Sequence, residues 1–374
     1  MASSRRLARA ALLCASLALL AGCAAQRAAN DTPLSATLER DAAAAAIEVQ
    51  VQLSEELLAS LVPATQPGCS AAVAVTGTVI WAGAAGLADL EQGTPVTTAT
   101  RFDIASVSKQ FTATAILMLQ RDGLLSVSDP VGQYVDDLPD WADEVTLDQL
   151  IHHTSRIPDF WVELDDADIG FTDPADQATT VAAISRETEL DSDGTGYFYS
   201  NSNYVLLAEV VARVSGQALP DFLAERIFAP LGLSMVVAPT LDAPDIARPY
   251  GDTLALEDGA WSAYGHTGII TTPSELARWG DAYRTGDIVQ DDFAVGAVDE
   301  GAGELYAAGI DIETDGDLNH TGRWGGYVSE FTVSSDREMT IAVMCNGHAS
   351  DRWGVTDGLW AIWDPEHPRE SPPR

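Results

Sequence analysis

Ser106 and Lys109 stand three residues apart, and Lys109 is the only lysine among the 20 basic side chains of the 374-residue chain. The others are arginines, which keep their proton in any protein environment, whereas a lysine releases its own when desolvated or set beside positive charge. Residues i and i+3 on a helix share a face. There the amine can take the Ser106 hydroxyl proton and leave a nucleophilic alkoxide. The competing reading makes Ser106 a helix cap and Lys109 an ordinary surface charge.

Two further groups have types that fit this chemistry. Phe198-Tyr199-Ser200-Asn201 offers a phenol and an amide two residues apart. Tyr197 and Tyr204 are rival phenols, either as core aromatics or as the proton carrier itself. A His-Thr-Gly triplet occurs twice, at His266-Thr267-Gly268 and at His320-Thr321-Gly322. The first leads into a capped helix, Thr271-Thr272-Pro273-Ser274-Glu275, and reads as structural. The second is followed by Trp324-Gly325-Gly326-Tyr327 and two apolar runs, a turn-then-sheet context, and the resemblance described next implies His320 as the site residue. His152 and His153 are adjacent, would point apart on a helix, and have no partner at ligand spacing, so they read as structural. No metal or cofactor is expected.

Taken together, Phe102-Asp103-Ile104-Ala105-Ser106-Val107-Ser108-Lys109-Gln110-Phe111-Thr112-Ala113, Tyr199-Ser200-Asn201 and His320-Thr321-Gly322 resemble the serine β-lactamase and penicillin-binding-protein superfamily, in its class C-like esterase and D-aminopeptidase branch. Asp129-Pro130-Val131, Leu150-Ile151-His152-His153-Thr154-Ser155 and Ile227-Phe228-Ala229-Pro230-Leu231-Gly232 are weaker echoes. The resemblance spans roughly residues 38–363. It implies that Ser106 is the nucleophile, that Lys109 accepts or stabilises its proton, and that Tyr199 relays that proton to the leaving group. Asn201 would bind a substrate carbonyl or hold Lys109. The oxyanion hole would be the backbone N–H groups of Ser106 and Arg323, with Thr321 and Gly322 on the substrate-bearing strand and the bare Gly322 leaving room for substrate. The family usually has glycine where Arg156 stands; here the helix would have to end otherwise, at Pro158.

These residues need elements to hold them. Residues 69–75 and 78–84 read as a hairpin around Thr76-Gly77. Residues 106–120 read as a buried helix with Gly123 placed to end it. Strands are expected at 318–321, 329–334 and 339–344, and a last helix at 354–363. The region to about residue 233 is mostly helical with acidic loops, the most acidic at 159–176. Strands at both ends with helices between predict an α/β (α+β) fold, which the resemblance implies is of the β-lactamase/transpeptidase type. An antiparallel sheet is built from both termini, with an inserted helical lobe.

Arg5, Arg6 and Arg9, an apolar run at 10–21, and Leu20-Ala21-Gly22-Cys23 read as an export signal ending in a lipobox. The expected organisation is a signal at residues 1–22, a lipidated Cys23 with a linker over 23–37, a hydrolase domain over 38–363, and a disordered tail over 364–374. An ordinary secretory peptide is the alternative. The location would be the cell envelope, lipid-anchored, with the membrane contacted through the acyl chains. Loss of the signal's three arginines takes the formal charge from −36 to −39. Such a surface repels nucleic acid and anionic lipid, so no nucleic-acid partner is expected.

Cys69 opens one apolar run and Cys345 closes another, so antiparallel neighbours would bring them together. A bridge would then add about 4–5 kcal/mol on the loop-entropy model; two separate buried thiols are the alternative. The function expected is a serine hydrolase working through an acyl-enzyme on Ser106, acting on a small ester, amide or peptide as an esterase or D-amino-acid amidase or peptidase. A DD-carboxypeptidase or weak class C-type β-lactamase is the alternative. A non-catalytic binding lipoprotein of the envelope is a third reading. Specificity is expected in residues 159–176, 261–264 and 324–327. Nothing in the sequence sets the oligomeric state.

Overall fold

The computed structural model describes residues 44–170, 173–192, 196–237, 243–257 and 261–369. The expected signal, Cys23 and the linker lie outside them. The chain divides into two compact units, Met1–Leu53 and Ser54–Arg374. In the first, residues 44–53 are helical; the second holds everything below.

An eight-stranded sheet runs from edge to edge as Thr78–Ala85, Cys69–Val75, Met339–Cys345, Tyr327–Val333, Leu318–Trp324, Asp311–Ile312, Glu304–Tyr306 and Val298–Gly301. Every neighbouring pair is antiparallel. The first strands and the last therefore pair within one sheet, as the strand pattern predicts. The three strands between 298 and 312 were not foreseen. They are two to four residues long and partly exposed, and sequences such as Val-Asp-Glu-Gly lack the apolar alternation that marks a half-buried strand.

The first hairpin turns through Thr76 and Gly77, both at positive φ (46° and 76°), the sense of turn that suits the twist of paired strands. Tyr327–Val333 and Met339–Cys345 are buried at every position, so both faces of the central sheet are covered. The helices Pro273–Trp279 and Arg352–Trp363 both pack on Met339–Cys345. The first starts as its sequence dictates, with the Thr272 hydroxyl accepting from Glu275 N. The second is capped by Asp351, which accepts from Gly354 N.

Cys69 and Cys345 are register partners and form a disulfide, which decides between the two cysteine readings. The bridge ties the first central strand to the last, 276 residues apart.

The helical lobe centres on Lys109–Arg121 packed against Asn201–Ser215. The short helix Leu147–Ile151 does not run on to Pro158. It stops at His152, with His153 (φ 53°) and then Arg156 (φ 65°) in the left-handed region. Arg156 thus takes the conformation glycine would, at a cost of about 1–2 kcal/mol. Its guanidinium is held by Asp191 at 2.8 Å and lies 4.7 Å from the Phe198 ring centroid.

The tail corrects a second expectation. Rather than being disordered from residue 364, the described residues 364–369 fold back on the sheet. His367 O accepts from Trp360 Nε1, and Arg369 pairs with Glu330 and Glu313, each at 2.8 Å. These three side chains are at most 7% exposed. Four prolines between 364 and 374 point to disorder in sequence, but a charge pair buried on the sheet outweighs that composition. Removing one partner strands the other in a desolvated site. Arg369→Ala, or truncation after Trp363, is expected to cost about 3–5 kcal/mol in urea unfolding. Pairing Arg369→Ala with Glu330→Gln should recover part of that loss.

Candidate active site

The strand Phe102–Asp103 delivers the chain into a tight turn before the buried helix. Ser106 lies in a 3₁₀ turn, Ala105–Ser108, and the α-helix begins at Lys109. That differs from the expected single helix, yet a 3₁₀ turn brings i and i+3 even closer to eclipsed. Ala105 is fully buried at φ 51°, an unfavourable conformation for alanine. Asp103 holds it there, its Oδ1 accepting from Ala105 N at 2.7 Å. Burial pushes the Asp103 carboxyl up to about 6, against hydrogen bonds from Ala105, Gly268 and Thr267 that pull it down.

Lys109 has no exposed surface. Its Nζ lies 3.0 Å from Ser106 Oγ, 2.8 Å from Asn201 Oδ1 and 3.1 Å from the His266 carbonyl. Desolvation pulls its pKa from 10.5 to about 7, with the Asp159 charge opposing the fall. A neutral amine has two N–H donors and one lone pair. With the donors on Asn201 Oδ1 and His266 O, the lone pair is left for the Ser106 proton.

Tyr199 is separated from its rivals by its partners. It hydrogen-bonds Ser106, whereas Tyr204 donates to Ile151 O and Tyr197 engages Glu300. Burial raises the Tyr199 phenol and the Ser106 hydrogen bond lowers it, but the residue as a whole is 37% exposed, so solvent limits the rise. Its ring lies 4.2 Å from the fully buried His153, whose Nδ1 accepts from Ser200 N. His153 is thus a backing plate for the tyrosine, a structural role as expected. His152 is held by Asp148.

Each His-Thr-Gly triplet contributes to this place. His320 sits on Leu318–Trp324, which packs on the Ala105–Ser108 turn. Its Nδ1 is 2.7 Å from Thr321 O and its Nε2 is 3.4 Å from Tyr306 Oη. Burial, then the neighbouring Lys109, drives its pKa from 6.5 to about 3. His320 is therefore neutral at pH 7. Thr321 is half-buried beside it, and Arg323 is exposed, 3.6 Å from Asp252 and 3.2 Å from His348 Nδ1.

The bare Gly322 also makes room within the fold itself. A Cβ there would fall 2.4 Å from Ile104 O and 2.9 Å from the Ala105 Cβ, so the missing side chain admits the nucleophile's own turn. The other triplet is not a bystander: His266 gives Lys109 its carbonyl, and the Thr267 hydroxyl reaches Asp103.

Two site residues escaped the sequence reading. Asp103 and Asp159 each hold a group that touches the Ser106–Lys109 pair, and in an acidic chain neither stands out among 56 carboxylates. The three segments expected to carry specificity meet in space. Trp161, Trp261 and Trp324 lie 4.7, 5.6 and 5.9 Å apart between ring centroids, with Trp324 4.9 Å from His266. Among the described residues, Glu313, Asp315 and Asp317 are grouped closely enough to hold a cation. They lie at the turn before the His320 strand, and Glu313 is already paired with Arg369.

An antiparallel sheet made from the first and last strands, an inserted helical lobe, and a serine and lysine beside a partly exposed tyrosine place this protein in the β-lactamase and penicillin-binding-protein class. It belongs to the Beta-lactamase family, whose model matches residues 57–360. It is 29% identical over 326 residues to a D-aminopeptidase of Cereibacter sphaeroides (strain ATCC 17029 / ATH 2.4.9), covering 82% of this chain and 62% of that protein. A Brucella anthropi D-aminopeptidase is 29% identical over 308 residues, covering 76% of this chain and 57% of its own. The chain thus spans less than two thirds of the length of these relatives. The fold is shared with the D-amino acid amidase of Ochrobactrum anthropi SV3, solved with L-phenylalanine amide (TM-score 0.73, 22% identity, 85% of this chain and 99% of that one).

Because the Gly322 strand abuts the nucleophile turn, Gly322→Ala should push the two apart. The expected result is acylation slowed about a hundredfold, since displacement of a reacting group by roughly 1 Å costs that much. Stopped-flow burst kinetics with an activated ester measures it.

Proposed function

We propose that this protein is a serine hydrolase that cleaves amides or small peptides of D-amino acids through an acyl-enzyme on Ser106. The observation that carries the reading is a fully buried Lys109 amine, 3.0 Å from Ser106 Oγ, with a pKa drawn down to about 7. The neutral amine takes the serine proton as Oγ attacks the substrate carbonyl. Oγ–C forms, and the negative charge collects on the former carbonyl oxygen. The backbone N–H groups of Ser106 and Arg323 are the donors for that oxygen. Tyr199 passes the proton to the departing amine as the C–N bond breaks. Water then enters, gives its proton back along the same path and releases the acid.

The choice of amide over a carboxylate-bearing β-lactam or cell-wall peptide rests on charge. A neutral His320 supplies no fixed cation for a substrate carboxylate. On the Tyr197 side, burial and mutual repulsion raise the hydrogen-bonded Glu300 and Asp311 carboxyls, so that side too offers no cation to a substrate carboxylate. The tryptophans at 161, 261 and 324 offer an apolar wall for the acyl side chain. The relatives named D-aminopeptidase support the same reading.

We further propose that Cys23 is acylated and anchors the chain at the cell envelope, supported by Leu20-Ala21-Gly22-Cys23. Metabolic labelling with an alkynyl fatty acid should mark the wild type and not Cys23→Ser.

Purified protein is expected to hydrolyse D-phenylalanine amide faster than its L-enantiomer, and Ser106→Ala to abolish turnover. An unimpaired Ser106→Ala protein would end the proposal. Since the neutral amine is the base, kcat/KM should rise with pH through about 7 and level off above it.

A further inference from the structure

Asp159 lies on the loop after His153, half-buried, and touches neither Ser106 nor Lys109 through a hydrogen bond among those the structure shows. Its Oδ2 accepts two: from Asn201 N at 2.9 Å and from Asn201 Nδ2 at 2.8 Å. The first of these occupies an N–H at the start of the helix Asn201–Ser215, where N–H groups have no partner within the helix and a negative charge is favoured. Ser200, which precedes that helix, makes no side-chain cap of its own. The loop cannot easily swing away. Pro158 O accepts from both Ser200 Oγ and Ser202 Oγ, and Phe160 N donates to Ser202 Oγ.

The consequence for Asn201 is geometric. An amide has one accepting end and one donating end. A carboxylate accepts only, so Nδ2 must face Asp159 and Oδ1 must face Lys109 Nζ, 2.8 Å away. We propose that Asp159 is the positioning residue of the Ser106–Lys109 pair: through Asn201 it aims the amine at the serine, and it supplies the carboxylate charge that the amine feels. This rests on the hydrolase reading for its catalytic consequence, though not for its electrostatic one.

The surroundings of Lys109 single out that charge. Its neighbours are the Tyr199 and Tyr204 rings, with centroids 4.9 and 5.6 Å from Nζ, the Ser106 hydroxyl, the Asn201 amide and the His266 carbonyl. The imidazoles of His153, His266 and His320 also feel it, and burial followed by the Lys109 charge drives all three well down, to neutrality at pH 7. Burial keeps the two phenols protonated. Asp159 is the group whose charge opposes the desolvation of the amine. Without it the amine would give up its proton at lower pH still. The loop thereby does two separable things, orienting the amine and keeping its titration near neutrality.

The lone lysine makes the charge effect directly visible. Protein grown on lysine labelled with carbon-13 at Cε, with a lysine-free tag, gives one side-chain resonance to follow against pH. The wild-type midpoint is expected near 7. Asp159→Asn can still offer a carbonyl oxygen to both Asn201 donors but has no charge, so its midpoint should fall by about half a unit or more, roughly threefold in the protonation constant. Asp159→Ala loses the orientation as well. Acylation of Ser106 by a fluorophosphonate, followed by mass spectrometry, should slow at least tenfold in Asp159→Ala and be largely restored in Asp159→Asn. Circular dichroism and intact disulfide content confirm that each variant is folded; if Asp159→Ala is not, Asn201→Ala is the second variant, expected to slow likewise. An Asp159→Asn midpoint equal to that of the wild type overturns the charge role. Wild-type acylation in the alanine variants overturns the positioning role. Failure to hydrolyse any amide or ester would sink the hydrolase reading while leaving the resonance titration to decide this one.

Discussion

Everything at this site depends on taking one ammonium group out of water without giving it a carboxylate in direct contact. A lysine in solvent holds its proton to near 10.4 and is useless as a base at neutral pH. Here the amine is buried among Ser106, Asn201, a backbone carbonyl and two tyrosine rings, with Asp159 kept one amide away. A carboxylate directly on Nζ would hold the proton there. No opposing charge at all would push the amine's proton affinity lower still. The intervening Asn201 sets the balance between these limits. Its cost is a desolvated polar cluster in the core, which the rest of the fold must keep in register.

The fold does so by joining its first and last strands. The disulfide links the first central strand to the last, and Arg369 inserts its guanidinium between Glu330 and Glu313 on the sheet. Glu330 lies on Tyr327–Val333, the strand paired with the His320–Gly322 segment. Ser329 on the same strand donates to Ile104 O, two residues before the serine. Sheet, nucleophile turn and tail are therefore one hydrogen-bonded body, and the strained Ala105 conformation persists because both Asp103 and the Gly322 strand press on it.

Tryptophans from three distant segments converge beside His266, and carboxyls gather on the far side by Tyr197. Under the proposed amidase reading, His320, rendered neutral by burial, withholds the cation that a carboxylate-bearing substrate would seek. The strong negative net charge of the chain bears on its partners more than on the reaction.

Much of this was legible in the residues alone. Strand and helix periods marked the central strands, the capped helix at Thr272 and the buried helix after Ser106, because those features are local and repeat along the chain. The Ser106–Lys109 pair was legible too, since three residues of spacing already set its geometry and the lysine has no competitor. Other features depend on segments far apart in sequence. The Tyr199-Ser200-Asn201 spacing already favoured Tyr199 over Tyr197 and Tyr204 as the residue facing the serine, but that Arg369 is buried could not be read from spacing. Nor could the parts played by both His-Thr-Gly triplets, or the roles of Asp103 and Asp159 among so many acids. Burial and charge at a point are sums over everything packed around it, and only the folded chain brings those neighbours together.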